Sequence, residues 1–495
     1  MKALNLCTSA CFSVLRLRIC CLTQFRLQGC NLSPLLFNLF IEDISQLFDR
    51  KCDQVSVDSM EFSHLLYADD LLLVATTSEG LQTCLDKVDS YFSKWNLSVN
   101  LKKSNVMAFN KTGKVPKKVN FLLSNKPVEL TNRYKYLGTV MSSSGSYNPA
   151  IENLSCKTSK AYFAVRNVLK KVDFDTNISL KIFDTALKPI LTYNSEIWSQ
   201  LNPRQFKALK KFNDLNDRNH FIFDSFLRET ETQHLSFCKS ILGVNRSCSN
   251  IAVMGELGRL PLLVDCLEKQ FLYFHRLISL SDESSLIKRA FHESYKLKQN
   301  DRYSWVNSCC LLLESFGIQS DPTILKTIKT NKFKYLVKRT LRHSYERYWL
   351  NKVNSPLGPS NKGCNKLRTY ATFKGQLKRE AYTNVTDKLL RRCLAKFRCS
   401  DHRLRIEVGR RENVAPEDRV CQMCDENSVE DEKHFLTSCS KYSPLREELY
   451  HNVGLSVRNF NVLLPEQKFV FFMSSEDIQI IRWVACFIKN ALEML

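Results

Sequence analysis

Apolar and polar positions along this chain follow two different periods, and the change of period divides it. Leu36, Leu39, Phe40, Ile44 and Phe48 fall near one helical stripe. Ser33 before Pro34 marks the start of that helix, with Ser33 as N-cap and Pro34 in the first turn. Two apolar runs, 62–68 and 71–76, then bracket Asp69 and Asp70, which predicts a hairpin with its carboxylates at the turn. Leu81, Leu85, Val88, Phe92 and Trp95 predict a helix from about Ser78 to Trp95. "LSVNLKKSNVMAFN" and "YKYLGTVMSSSG" read as two further strands. The order helix, hairpin, helix, strand, strand describes an α+β sheet domain with helices on one face, ending near Gly145.

Beyond it the period is helical. Ala150 to about Leu280 repeats as in Ile182, Ala186 and Ile190, and Lys326 to Arg411 is helical and strongly basic. "NSPLGPSNKG", from Asn354 to Gly363, has linker composition. There are no internal repeats.

Charge changes the picture. The 495 residues carry 72 Lys+Arg against 50 Asp+Glu, a formal +22, which points to a polyanionic partner such as nucleic acid. "NKFKYLVKRTLRHSYERYWLNKV" interleaves Lys and Arg with aromatics. It reads either as a face that tracks phosphates and stacks bases or as a solvated helix whose aromatics are core. The 20 cysteines, with pairs such as Cys20-Cys21 and Cys309-Cys310, show no secreted-domain framework and read mostly as reduced, buried thiols, in the nucleus or the cytoplasm. The N-terminal "MKALNLCTSACFSVLRLRICCL" is apolar and basic and is a minor candidate for a targeting segment. No window has the composition of a membrane span.

Two constellations carry chemistry. Paired carboxylates at a sheet edge offer hard oxygens suited to Mg²⁺, which activates a 3′ hydroxyl and stabilises leaving pyrophosphate; a plain hairpin with turn aspartates is the bland alternative. The second is "CQMCDENSVEDEKHFLTSC". Cys421, Cys424, His434 and Cys439 have the spacing C-x2-C-x9-H-x4-C, a closed Cys₃His set for structural Zn²⁺. His402 is a poorer alternative ligand. No G-x-S-x-G or G-x-x-x-x-G-K-[ST] occurs, and only 14 glycines are present, which argues against dinucleotide-binding folds. His64 reads as an ordinary strand residue.

"YADD" preceded by "QGCNLSPLLFNLFI" and followed by "WNLSVNLKKSNVMAF" and "YKYLG" resembles the palm of reverse transcriptases, specifically the non-LTR (LINE-type) retrotransposon polymerases. The resemblance implies that Gln28, Gly29, Ser33, Pro34 and Asn38 contact template and incoming nucleotide. It implies that Tyr67, Asp69 and Asp70 form the catalytic hairpin, with Asp69 and Asp70 as magnesium ligands. Lys103 becomes a proton donor or phosphate contact, and Tyr136, Leu137 and Gly138 a primer grip. "LKPILTYNSEIW" and "ELGRLPLL" are similar to the thumb and connector of the same elements, and the Cys₃His segment to their zinc knuckle. The resulting division is partial palm 1–145, helical thumb and connector 146–285, basic helical region 286–410, knuckle 411–445 and C-terminal helices 446–495.

The implied partners are an RNA template, DNA and deoxynucleotides, with no membrane. The implied reaction is target-primed reverse transcription. The family also needs an aspartate on a strand upstream of the "QGC" helix, bridging both metals. Here the first aspartate is Asp43, inside that helix. Fingers and endonuclease are absent from the pattern as well, and Leu27 stands where a basic residue normally precedes the glutamine. The expectation is an N-terminally truncated polymerase, inactive alone; the alternative is a non-catalytic nucleic-acid-binding protein derived from such an element.

Overall fold

The computed structural model describes residues 13–21, 33–48, 52–116, 119–171, 174–225, 229–355 and 366–495. Its first part is built on a mixed sheet. The strands are β1 (Ser13–Cys21), β2 (Val55–Val57), β3 (Met60–Phe62), β4 (His64–Tyr67), β5 (Asp70–Ala75), β6 (Leu97–Val99), β7 (Asn105–Ala108), β8 (Phe121–Leu123), β9 (Lys126–Leu130), β10 (Arg133–Tyr136) and β11 (Thr139–Ser142). The main sheet runs β4-β5-β1-β7-β9-β8, with β6 also paired to β1; β2-β3 and β10-β11 are separate hairpins. Among the described residues, only β7 and β9 pair in parallel.

β5 is buried along its whole length because both of its faces are covered. Leu71, Leu73 and Ala75 pack under helix α2 (Ser78–Lys94), against Leu81, Leu85 and Val88. Leu72 and Val74, on the opposite face, pack with Val55, Val57, Phe62 and Tyr136. α2 begins where expected, with Thr77 accepting from the Gly80 amide as N-cap. Helix α1 (Ser33–Phe40) brings Phe37 and Phe40 to the α2 side of the sheet.

The sheet holds more strands than the sequence reading found. Ser13–Cys21, part of the stretch weighed as a targeting segment, is a strand between β5 and β7. The signal was there: Leu15, Leu17 and Ile19 alternate with Arg16 and Arg18 at the period of a strand. The predicted hairpin also shifts. Phe62 belongs to β3, the turn is Ala68-Asp69, and Asp70 already starts β5. β2, β3, β8 and β9 went unseen because three to five residues leave too little periodicity.

From helix α3 (Asn148–Lys171) onward the chain is helical. The principal later helices are α4 (Glu229–Leu242), α5 (Asn250–Leu257), α6 (Leu262–Ile278), α7 (Thr330–Asn354), α8 (Lys388–Arg398), α9 (Glu432–Thr437), α10 (Ser443–Ser456) and α11 (Ile478–Glu493). One buried cluster runs from Leu180 to Ala491 and includes Phe271, Phe333, Trp349, Phe435 and Ile488. Pro189 lacks the amide that would bond back one turn, and the helix ahead of it relaxes into a π turn, Phe183–Leu187. That turn aims Asp184 at Arg259, which donates both terminal nitrogens to it at 2.8 Å.

The "ELGRLPLL" segment joins several of these pieces. Gly258 ends α5 at φ +59, and a Cβ there would stand 2.4 Å from the Arg379 amide nitrogen, so only glycine fits. Two residues earlier, the fully buried Glu256 accepts Arg398 of α8 at 2.6 and 3.1 Å. Burial opposes ionisation of Glu256, but the Arg398 guanidinium holds its carboxyl below the ordinary range. Most of the expected linker, from residue 356 on, lies outside the described residues. No helix among the described residues is long and apolar enough to cross a membrane.

Candidate functional site

The Asp hairpin is made by a two-residue turn. Tyr67 and Asp70 are register partners, and Ala68 between them has φ +51, a region an L-residue adopts at a cost of roughly 1–2 kcal/mol. Strain of this kind gathers at sites where the chain must present particular groups. Tyr67 is 63% exposed, Asp69 partly exposed and Asp70 only 6% exposed. Asp70 shares its sheet face with Leu72 and Val74, opposite the face covered by α2. Asp70 therefore stands at one end of the sheet, on the side that carries Tyr136, with Asp69 next to it in the turn.

The strand beside them decides what they can do. β1 runs antiparallel to β5 and places Arg18 opposite Asp70 and Arg16 opposite Leu72. β1 precedes the "QGC" helix in sequence, as the strand for the missing aspartate must, yet "SVLRLRICC" holds no carboxylate. Two Mg²⁺ ions about 3.5–4 Å apart need a carboxylate shared between them. Asp69 and Asp70 alone do not fit such a pair of ions.

The remaining expected residues scatter around this hairpin. Gln28 and Gly29 lie outside the described residues. Ser33 and Pro34 form the first turn of α1, and Asn38 is exposed on it. Lys103 is exposed on the turn Leu101–Lys103 ahead of β7, across β1 from the Asp pair, and its carbonyl accepts from the Tyr134 hydroxyl at 2.9 Å. Tyr136 is buried beneath β5.

Leu137 and Gly138 are the turn between β10 and β11, both at positive φ. That turn is clasped by the helical part. The Tyr193 hydroxyl donates to the Leu137 carbonyl at 3.0 Å, and Asn194 Nδ2 to Thr139 Oγ1 at 2.7 Å. Residues 193 and 194 come from "LKPILTYNSEIW", so two segments read separately in the sequence are in contact. On the neighbouring α3, burial and then the Lys135 ammonium keep Lys157 below the usual amine range. Such a pair of cations suits a phosphate.

The Cys₃His set is assembled. The ligand atoms of Cys421, Cys424, His434 and Cys439 all lie within 4.8 Å of one another. Cys421 Sγ is 3.9 Å from Cys439 Sγ, and Cys424 Sγ is 3.5 Å from His434 Nε2. Tetrahedral Zn²⁺ with ordinary bond lengths sets such atoms roughly 3.5–3.8 Å apart. Local structure places each ligand. A Val420–Val429 bridge and the Cys421 amide to Ser428 carbonyl bond (2.8 Å) close the loop that carries the C-x2-C pair. Asp431 caps α9 by accepting the His434 amide at 2.7 Å. His434 Nε2 faces the thiols while Nδ1 stands 3.8 Å from Glu426, an arrangement that orients a metal-binding imidazole. Burial keeps His434 below its ordinary value, hence neutral, and pushes the Cys421 thiol up to about 12, a cost that a bound cation reverses.

Sequence reasoning missed the polar frame around this centre. Glu432, next to the cap, accepts from Arg368 (3.1 Å), Thr369 (2.8 Å), Ser400 (2.9 Å) and His402 (3.0 Å). His402, weighed as an alternative ligand, instead partners Glu432 and lies outside the four-residue cluster. Burial would raise the Glu432 carboxyl, but His402 and Arg368 hold it well below the carboxylate range. Arg446 and Arg419, both buried, donate to the carbonyls of Cys439 (2.5 Å) and Val414 (2.6 Å). Only the density of charge around the cysteines hinted at this frame.

Residues 22–141 match the family described as reverse transcriptase (RNA-dependent DNA polymerase). Part of the chain is similar to non-LTR retrotransposon reverse transcriptases. The retrovirus-related Pol polyprotein from type-1 retrotransposable element R2 of Popillia japonica is 30% identical over 173 residues, 34% of this chain and 27% of that protein. The R2 polyprotein of Nasonia vitripennis is 31% identical over 126 residues, 24% of this chain and 12% of its own length. The probable RNA-directed DNA polymerase from transposon X-element of Drosophila melanogaster is 24% identical over 181 residues, 34% of this chain and 19% of its own. This reverse transcriptase relative thus spans under a third of the length of these proteins.

Proposed function

We propose that this chain is a nucleic-acid-handling part of a non-LTR retrotransposon reverse transcriptase, which holds RNA template and DNA and adds no deoxynucleotides by itself. The observation that carries the reading is the register of β1 on β5, where Arg18 is the partner position of Asp70, in a strand whose sequence holds no carboxylate. The exposed turn at Leu137, with Lys135 and Lys157 beside it, supports contact with a nucleic-acid end at this edge of the sheet. Cys421, Cys424, His434 and Cys439 would hold one structural Zn²⁺, which supplies folding energy.

The test is primer extension by the purified chain on an RNA template with an annealed DNA primer, Mg²⁺ and deoxynucleotides. Salt-dependent retention of the template–primer without extension is expected. Template-dependent extension that disappears in both Asp69→Ala and Asp70→Ala contradicts the proposal and restores a polymerase acting alone.

A further inference from the structure

α7 divides its side chains sharply. Phe333, Val337, Leu341, Tyr345, Tyr348, Trp349 and Val353 are buried. Phe333 stacks on His275 at 4.6 Å, the Tyr348 hydroxyl donates to Asp224 at 2.6 Å, and Trp349 Nε1 donates to the Ile251 carbonyl at 2.9 Å. Of the two readings of this helix, the core reading therefore holds for its aromatics, apart from Tyr335, which is 68% exposed.

The outer face is a different surface. Lys332, Arg339, Arg342 and His343 are exposed around Tyr335, with Lys334 and Lys338 on its flank. Between residues 322 and 345 there are seven Lys or Arg and no Asp or Glu. Glu346 follows and pairs with Arg342 at 2.9 Å. This distribution works against the helix itself. Lys334, Lys338 and Arg342 repeat at i, i+4, where like charges repel, and the cations of the first turn oppose the helix dipole. Apart from the Arg342–Glu346 pair, no ion pair among the described residues offsets the repulsion on this outer face, which leaves its charge available to a partner.

We propose that the outer face of α7 is a docking surface for the phosphate backbone of a nucleic-acid double helix. The inference rests on the nucleic-acid reading above but not on the Asp hairpin. Three observations choose the occupant. The face is positive and extends about 16 Å from Lys332 to His343, enough to meet several phosphates of one strand at its axial rise of about 3.4 Å per nucleotide. A single-strand groove needs a succession of stacking rings, and four of the five aromatics here are consumed by the core. A membrane-surface helix needs an apolar face to insert, and the apolar face of α7 is the buried one.

Fluorescence anisotropy of the full chain with a labelled 24-base-pair DNA duplex, over a series of KCl concentrations, tests this. The variant is Lys332→Gln, Lys338→Gln, Arg339→Gln and Arg342→Gln together, residues whose replacement keeps helix propensity. The charge control is Lys181→Gln, Lys207→Gln, Lys211→Gln and Lys441→Gln together, all exposed elsewhere. Duplex affinity of the α7 variant should fall at least ~10-fold, and its log K against log [salt] slope should become shallower by about 3–4. The control should change little, and both proteins should keep the wild-type circular dichroism and zinc content. Equal losses in variant and control, an unchanged variant, or a loss confined to a single-stranded oligonucleotide or to anionic vesicles overturns the proposal. If the wild type binds no duplex even at 50 mM KCl, the nucleic-acid reading falls with it; if it binds and the variant binds equally, only the α7 inference falls.

Discussion

The chain carries two sets of metal-type ligands, and they differ in where their donors come from. The Cys₃His set spans residues 421 to 439, and a short loop and one helical turn bring all four ligand atoms within 4.8 Å. The Asp hairpin supplies two carboxylates from one turn, and the proposed reading turns on a third from β1, some fifty residues earlier, whose positions opposite Leu72 and Asp70 are Arg16 and Arg18. A local set is complete or incomplete within its own segment. A set assembled across a sheet can keep its scaffold and lose its chemistry, because one strand position changes the function while the pairing of strands survives. The zinc-type centre is also framed by buried ion pairs, whereas the hairpin stands at the open end of the sheet.

The largest effect that sharpens this contrast is loss of the thiol set. Cys424→Ser, or treatment with a strong chelator, should release one zinc per chain and remove several kcal/mol of stability. Because Phe435 of α9 packs 5.9 Å from Phe487 of α11, the loss should loosen the C-terminal helices as well as residues 411–445. Zinc analysis with thermal melting checks it. Next in size is Glu432→Gln, which leaves Arg368 and His402 without their shared carboxylate and should cost about 2–4 kcal/mol, with roughly tenfold weaker zinc retention.

The same carboxylate makes a pH prediction. Its folded value lies below the unfolded one, so the stability it contributes is fully present above the ordinary glutamate range and is lost progressively as pH falls from that range toward the lowered folded value. Urea melts at pH 7 and pH 4 should differ less for Glu432→Gln than for the wild type. Smaller again is Gly138→Ala. At φ +82, with the Tyr193 ring 3.1 Å from the new Cβ, it should cost about 1–2 kcal/mol and loosen the clasp on the β10–β11 turn. The smallest effect concerns Mg²⁺: at millimolar concentration it should move the melting temperature of wild type and Asp70→Asn alike by under about 1 °C, since the pair alone holds the ion weakly.

The same contrast explains what could be read in advance. Helix α2 and the Cys₃His spacing were legible because a 3.6-residue period and a ligand spacing are local patterns. β1 was missed, since its five alternating residues stand among cysteines in a stretch that also fits, as a minor option, an apolar basic leader. The clasp of Tyr193 on Leu137 joins residues 56 apart and leaves no periodic trace. The Glu432 frame gathers Arg368 from one turn and Ser400 and His402 from another, and charged residues in a sequence look solvated until the fold buries them. The absent carboxylate was legible, but which residue faces Asp70 emerged only from strand register.

Native mass spectrometry of the purified full chain, exchanged into buffer containing millimolar Mg²⁺ or Mn²⁺, tests the central contrast most directly. One tightly retained zinc that disappears in Cys424→Ser, with no second divalent ion retained, is the predicted result. A chain without zinc, or one retaining Mg²⁺ or Mn²⁺ in a manner abolished by Asp70→Asn, contradicts it.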